Sequence, residues 1–242
     1  MRLLILSILL IVPLVGKGHG YWLDIKGSGK INQPVRIQIC FGEIDQYSMR
    51  HRETGPELAE IGGFQVAVLD CKGKRTDLTL SPLSDCWEAV FTPDQKGIYQ
   101  IVGIHTDLPV VDRSQSGGEN IRPIDYLCAH YQVGETQTGE TTCKAMPSQF
   151  LDIITWSKDK FVVIKAFKNH QPAANNTRLR IFNPENWEKN LVVNMQGEAS
   201  FMPTQKGLYI IRQDWIDSTP GNYKGKSYTS VRHRCNYCLW VQ

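Results

Sequence analysis

The chain has 242 residues, 27 basic and 24 acidic, with a formal net charge of +3. That near-balance excludes a strongly cationic nucleic-acid surface, which needs a clustered basic face. A hydrophobic share of 41% excludes a disordered chain and is enough to build a core.

In chain order, residues 1–18 are expected to form a cleaved secretory signal. Arg2 supplies the positive start, and LLILSILLIVPLV (3–15) follows as an apolar stretch. That stretch is shorter than the ~20 residues of a membrane-spanning helix. Gly16 and Gly18 place small residues at −3 and −1, so cleavage is expected before His19. Loss of Arg2 and Lys17 leaves 25 basic residues against 24 acidic. The mature chain is expected to be secreted or periplasmic, with no stable membrane insertion after cleavage and no nucleic-acid partner.

Cleavage would make His19 a chain terminus. Its α-amine and Nδ1 then form a bidentate chelate, and imidazole suits Ni, Cu and Zn. The amine has a reference pKa near ~8, so metal uptake near neutrality displaces little proton. Further ligands must come from elsewhere. His51 follows Glu43, Asp45 and Met49 in FGEIDQYSMRHR, a charged stretch expected to be a loop. His105 follows the apolar IYQIVGI, where a strand should reach a sheet end. His130 lies in DYLCAHYQV, the expected last strand of the first half. The candidate metal residues are therefore His19, His105, His51 and His130.

Strands are expected throughout. VRIQI alternates, with Val35, Ile37 and Ile39 on one face, and FQVAVLD alternates through Phe64, Val66 and Val68. RETGPELAEI (52–61) has helical composition but is too short and too interrupted for a structural helix. Seven cysteines follow the signal, and export favours disulfides. Cys71 and Cys86 flank a turn region, Cys128 and Cys143 flank a polar segment, and Cys235 and Cys238 form C-N-Y-C. These six are the disulfide candidates. Cys40, in an apolar strand, is the expected unpaired one.

A repeat runs through the chain. EAVFTPDQKGIYQIVGIHTD (88–107) recurs as EASFMPTQKGLYIIRQDWID (198–217) at a constant offset of 110. Leu23-Asp24-Ile25 opens the first copy and Leu151-Asp152-Ile153 the second. VRIQICF (35–41) matches VVIKAFK (162–168) loosely, and QVAVLD (65–70) matches RLRIFN (178–183). The expected fold is all-β: two tandem immunoglobulin-like β-sandwich domains related by internal duplication. The boundaries are 19–135 and 148–242, with a polar linker at 136–147. Trp215 stands in the second copy where the first has His105, so the shared fold does not require that histidine.

No G-x-S-x-G, Walker loop or dinucleotide fingerprint is present, so an enzyme is not expected. Two alternatives to metal binding stand beside it. One is a non-catalytic glycan- or protein-binding surface module. The other is a copper oxidase with a histidine brace.

The opening His19-Gly20-Tyr21-Trp22-Leu23, the later Cys40-Phe41-Gly42 and the Gly97-to-Tyr99 strand form a pattern in order. That pattern resembles the DUF4198 family, which includes exported accessory proteins of nickel and cobalt uptake. The resemblance implies an exported β-sandwich, in some members a nickel- or cobalt-binding partner of a membrane metal transporter; the His19 chelate adds Cu, so the expected metal is Ni, Co or Cu. Nickel-type members carry F-x-H-P, where this chain has Phe41-Gly42-Glu43, so the chain departs from the nickel pattern there.

Overall fold

The computed structural model describes residues 20–45, 47–134 and 145–242. The expected signal, His19, Cys143 and most of the expected linker lie outside the described residues. The chain is all-β. Its first half contributes β1 (Gly20–Lys26), β2 (Val35–Ile44), β3 (Arg50–Arg52), β4 (Gln65–Leu69), β5 (Arg75–Leu78), β6 (Ser81–Pro82), β7 (Trp87–Phe91), β8 (Gly97–His105) and β9 (Ile121–Val133). Its second contributes β10 (Leu151–Lys158), β11 (Phe161–Lys168), β12 (Gln171–Pro172), β13 (Arg178–Phe182), β14 (Glu188–Val192), β15 (Glu198–Phe201), β16 (Gly207–Asp217), β17 (Gly221–Tyr223), β18 (Lys226–Tyr228) and β19 (Ser230–Val241).

Strands from both halves share one eight-stranded sheet, in the order β14-β13-β16-β19-β9-β8-β4-β5. Its middle is a parallel pair, β19 beside β9, running from Ser230 opposite Ile121 to Cys238 opposite Ala129. All other pairs in that sheet are antiparallel. Outward from the seam, each half repeats the same order: β9-β8-β4-β5 on one side and β19-β16-β13-β14 on the other.

A smaller sheet covers each half. β1, β2, β7 and β6 form one, with β3 paired to β2; β10, β11 and β12 form the other, with β15 paired to β11. Alternation along the shared sheet sends neighbouring residues to opposite faces. Val66, Val68, Leu127 and Ala129 join Leu23, Ile37 and Ile39 in a first core. Ala67, Tyr126 and Cys128 join Leu151, Ile153 and Ile164 in a second. The two covering sheets therefore lie on opposite faces of the shared one. The expected face of β2 holds: Val35, Ile37 and Ile39 are all buried.

The recurring Q-K-G-x-Y block has a local physical reason. Tyr99 Oη donates to Gln95 O at 3.0 Å and accepts from Gln95 N at 3.3 Å. Tyr209 Oη meets Gln205 in the same way, at 3.1 Å to both backbone atoms. Each tyrosine thus closes the turn four residues before it. Gly97 and Gly207 sit between at φ 138° and 125°, a region costly for any side chain. The stretch Pro56–Gly63 forms a 3₁₀ helix, a short form compatible with its proline and glycines. Trp87 Nε1 ties it down by donating to Leu58 O at 2.9 Å.

Candidate functional site

His51 is not in a loop. It lies in β3, opposite Glu43 of β2, because β3 pairs antiparallel with the end of β2. Asp45 builds the turn between them by accepting Tyr47 N at 2.8 Å and Met49 N at 2.9 Å. His51 Nε2 lies 2.7 Å from Asp45 Oδ2, and the imidazole is more than half exposed. The His51 hydrogen bond, then the backbone bonds, hold the Asp45 carboxyl below its ordinary pKa. The chain enters the described residues one strand away from this pair: Gly20 of β1 and Arg52 of β3 both face Gly42, from opposite edges of β2.

His105 reaches the end of β8, as expected, but is buried with both nitrogens engaged. Nε2 donates to Glu60 O at 2.7 Å, and Nδ1 accepts Asp107 N at 3.2 Å. Its ring packs edge-on against Phe64, with centroids 5.0 Å apart. It ties the 3₁₀ segment to the sheet end, and a metal would have to break both bonds. His130 is in β9, opposite Gln100, as expected. Its Nε2 is buried with no hydrogen-bond partner, and its ring stands edge-on to Tyr237 at 5.5 Å. Burial pushes its pKa down to about 4, so it is neutral at pH 7. Tyr237 belongs to the second core, on the face opposite the sheet that carries His51. The structure therefore does not bring His51, His105 and His130 together. Among the described residues no group of three or more His, Cys, Asp or Glu is arranged to hold a metal.

The remaining histidines have local roles. His170 occupies the tight β11–β12 turn at φ 61°. His233 Nδ1 lies 2.9 Å from Tyr126 Oη, and its ring packs against Phe150 and Trp215.

Among the described residues no disulfide is closed. Cys235 and Cys238 are three apart on one strand, about 10 Å in extended chain, beyond the ~7 Å Cα limit of a disulfide. They also point to opposite faces. Cys235 meets Cys128 across the parallel seam, with Sγ atoms 3.5 Å apart, while Cys238 Sγ accepts Leu23 N at 3.1 Å. Cys86 is a buried free thiol, so it is not bonded to Cys71. It follows from the β2–β7 register, Ile39 opposite Trp87, that Cys86 lies across from Cys40. Cys128 is likewise free, and its expected partner Cys143 is outside the described residues.

The expected site residues do not include an arginine row in the second half. Arg180 of β13 faces Arg212 of β16, which faces Asn236 of β19. The equivalent row of the first half is Ala67, Val102 and Cys128. The signal was available in the repeat: at the offset of 110, Arg212 replaces the apolar Val102. Arg212 Nε donates to Asn236 Oδ1 at 3.0 Å, and Asn236 Nδ2 donates to Tyr21 O at 2.8 Å.

No protein-family model and no curated protein matches the chain. Solved structures overlap it weakly. Trypsin-activated alpha-2-macroglobulin from Escherichia coli aligns at TM-score 0.30 and 12% identity, covering 93% of this chain and 16% of that one. The BSP domain of a biofilm associated protein aligns at TM-score 0.23 and 11% identity, covering 90% and 29%. Dimeric latent PorU from Porphyromonas gingivalis aligns at TM-score 0.23 and 9% identity, covering 93% and 20%. The chain thus spans less than a third of the length of each of these three.

Proposed function

We propose that this chain is an exported binding protein for a divalent transition metal, Ni, Co or Cu, held at the start of β1. In this reading the signal is removed before His19. The α-amine and Nδ1 of His19 form a chelate, and His51 supplies a third nitrogen. The single observation that carries the reading is the strand register. Gly20 pairs with Gly42, and the next residue of β2, Glu43, pairs with His51. Asp45 is within hydrogen-bond distance of His51 Nε2 and is the natural orienting carboxylate for a metal-bound imidazole. His105 and His130 are not part of the proposed site, since one is fully hydrogen-bonded and the other has its Nε2 shut off from water on the opposite face.

The resemblance to the DUF4198 family supports the same reading and suggests delivery to a membrane transporter. We further propose that the two halves arose by duplication of an immunoglobulin-like sandwich. Their matching strand orders and the paired Tyr99 and Tyr209 corners support this. The test is direct. N-terminal sequencing of the exported protein should begin at His19. Calorimetric titration with Ni or Cu should give micromolar or tighter binding, lost in His19→Ala and weakened at least about tenfold in His51→Ala. Undiminished binding in His19→Ala overturns the reading.

A further inference from the structure

A cavity of about 380 Å³ lies where the covering sheet of the first half overhangs the second half. Tyr21, Ile44 and Arg50 line it from above; Phe182, Ile210 and Arg212 line it from the shared sheet. Its rim adds the Arg180–Glu188 ion pair, closed at 2.6 Å, and Arg234, paired with Asp214 at 3.2 Å. Arg212 and Arg50 differ. Arg212 is more than nine-tenths buried, and its hydrogen-bond partner Asn236 is neutral. Arg50 Nη2 donates to Asn186 Oδ1 at 2.8 Å, again a neutral group, and its guanidinium lies over the Trp22 ring at 5.0 Å. Among the described residues no carboxylate forms a salt bridge with either.

A buried cation without a counter-ion is costly and is retained where something neutralises it. Burial first, then the charge of Arg234, pull the Arg212 pKa down to about 9, which still leaves it charged at neutral pH. Asp214 and, more weakly, Asp125 exert an attractive field on Arg212, but Asp214 is already paired with Arg234 and burial raises the pKa of Asp125. Access to Arg212 is kept by Gly20, where an added Cβ would lie 2.9 Å from Arg212 Nη2. The fold itself does not ask for the charge, because the first half fills the same row with Ala67, Val102 and Cys128.

We propose that this cavity binds the carboxylate of a small organic acid, with Arg212 as the bidentate anchor and Arg50 as the second cation. A guanidinium presents parallel N–H donors that match a carboxylate. Tyr21, Phe182, Ile44 and Ile210 supply an apolar wall for the rest of the molecule, as small-ligand pockets require. The site is independent of the metal reading, since it uses neither His19 nor His51.

Benzoate and citrate, with inorganic phosphate in parallel, are the probes, titrated into the mature protein at low salt by calorimetry and thermal shift. At least one carboxylate should bind saturably and raise Tm. Arg212→Gln should abolish that binding while leaving the unliganded Tm at or above wild type, because it removes an unpaired buried charge and keeps a donor for Asn236. Arg50→Gln should weaken binding at least tenfold, and His19→Ala should leave it unchanged. Absence of saturable carboxylate binding, or a response to phosphate alone, overturns the proposal. Equal binding in wild type and both arginine variants does the same, and if Arg212→Gln does not fold, unchanged binding in Arg50→Gln decides against it.

Discussion

Two histidines that look alike in sequence have opposite roles once their surroundings are known. His105 spends both nitrogens on the backbone of Glu60 and Asp107, so it holds structure. His105→Ala should cost about 2–4 kcal/mol in urea unfolding, through two lost bonds and orphaned backbone groups, with metal affinity unchanged. His130 is half-buried, with its Nε2 shut off from water, and neutral, with a folded pKa of about 4 against ~6.5 in the unfolded chain. Below pH 6.5 the unfolded chain takes up the proton first, so stability falls as pH drops from 6.5 towards 4. The full loss is about 3 kcal/mol. His130→Leu should flatten the stability profile across that window; an unchanged slope would contradict the assignment. Neither role was legible in the sequence. The residue types and their strand positions could be read, but burial and bonding depend on which face another sheet covers.

At the scale of elements, the β2–β3 hairpin carries the proposed metal site. Gly42 makes that hairpin possible: an added Cβ would lie 1.8 Å from His51 O, a backbone atom that cannot step aside. Gly42→Ala should therefore displace β3, destabilise the protein by about 1–3 kcal/mol and weaken metal binding with His19 and His51 still present. Equal affinity in Gly42→Ala would mean that His51 is not held to the site by the hairpin. Much of the strand content was legible, because VRIQI and FQVAVLD alternate in step with a half-buried strand. The hairpin was not, because the Asp45 side chain forms the turn and charged residues such as Arg50 and Arg52 line a strand that reads as loop. The repeated Q-K-G-x-Y block was legible as repetition; its cause, a tyrosine closing the turn before its own strand, lies in a side-chain-to-backbone contact that the residue pattern does not reveal.

At the scale of the molecule, the halves are joined side by side rather than strung in tandem. The parallel β9–β19 seam pairs residues 109 apart in sequence, a contact no local pattern announces. Each half alone would bare one of these long strands as an open edge. Residues 19–135 expressed alone should therefore dimerise or aggregate, and a monomeric, cooperatively folding half by ultracentrifugation and urea unfolding would contradict the seam's importance. The same union sets β1 of the first half against β19 of the second, through Leu23 N to Cys238 Sγ and Asn236 Nδ2 to Tyr21 O. It thereby anchors the strand that begins beside the proposed metal site. The most direct test of that site is titration of Ni and Cu into the protein that begins at His19 and into its His19→Ala and His51→Ala variants. The account predicts micromolar or tighter binding to the wild type, none to His19→Ala and at least about tenfold weaker binding to His51→Ala; equal binding by all three proteins would contradict it.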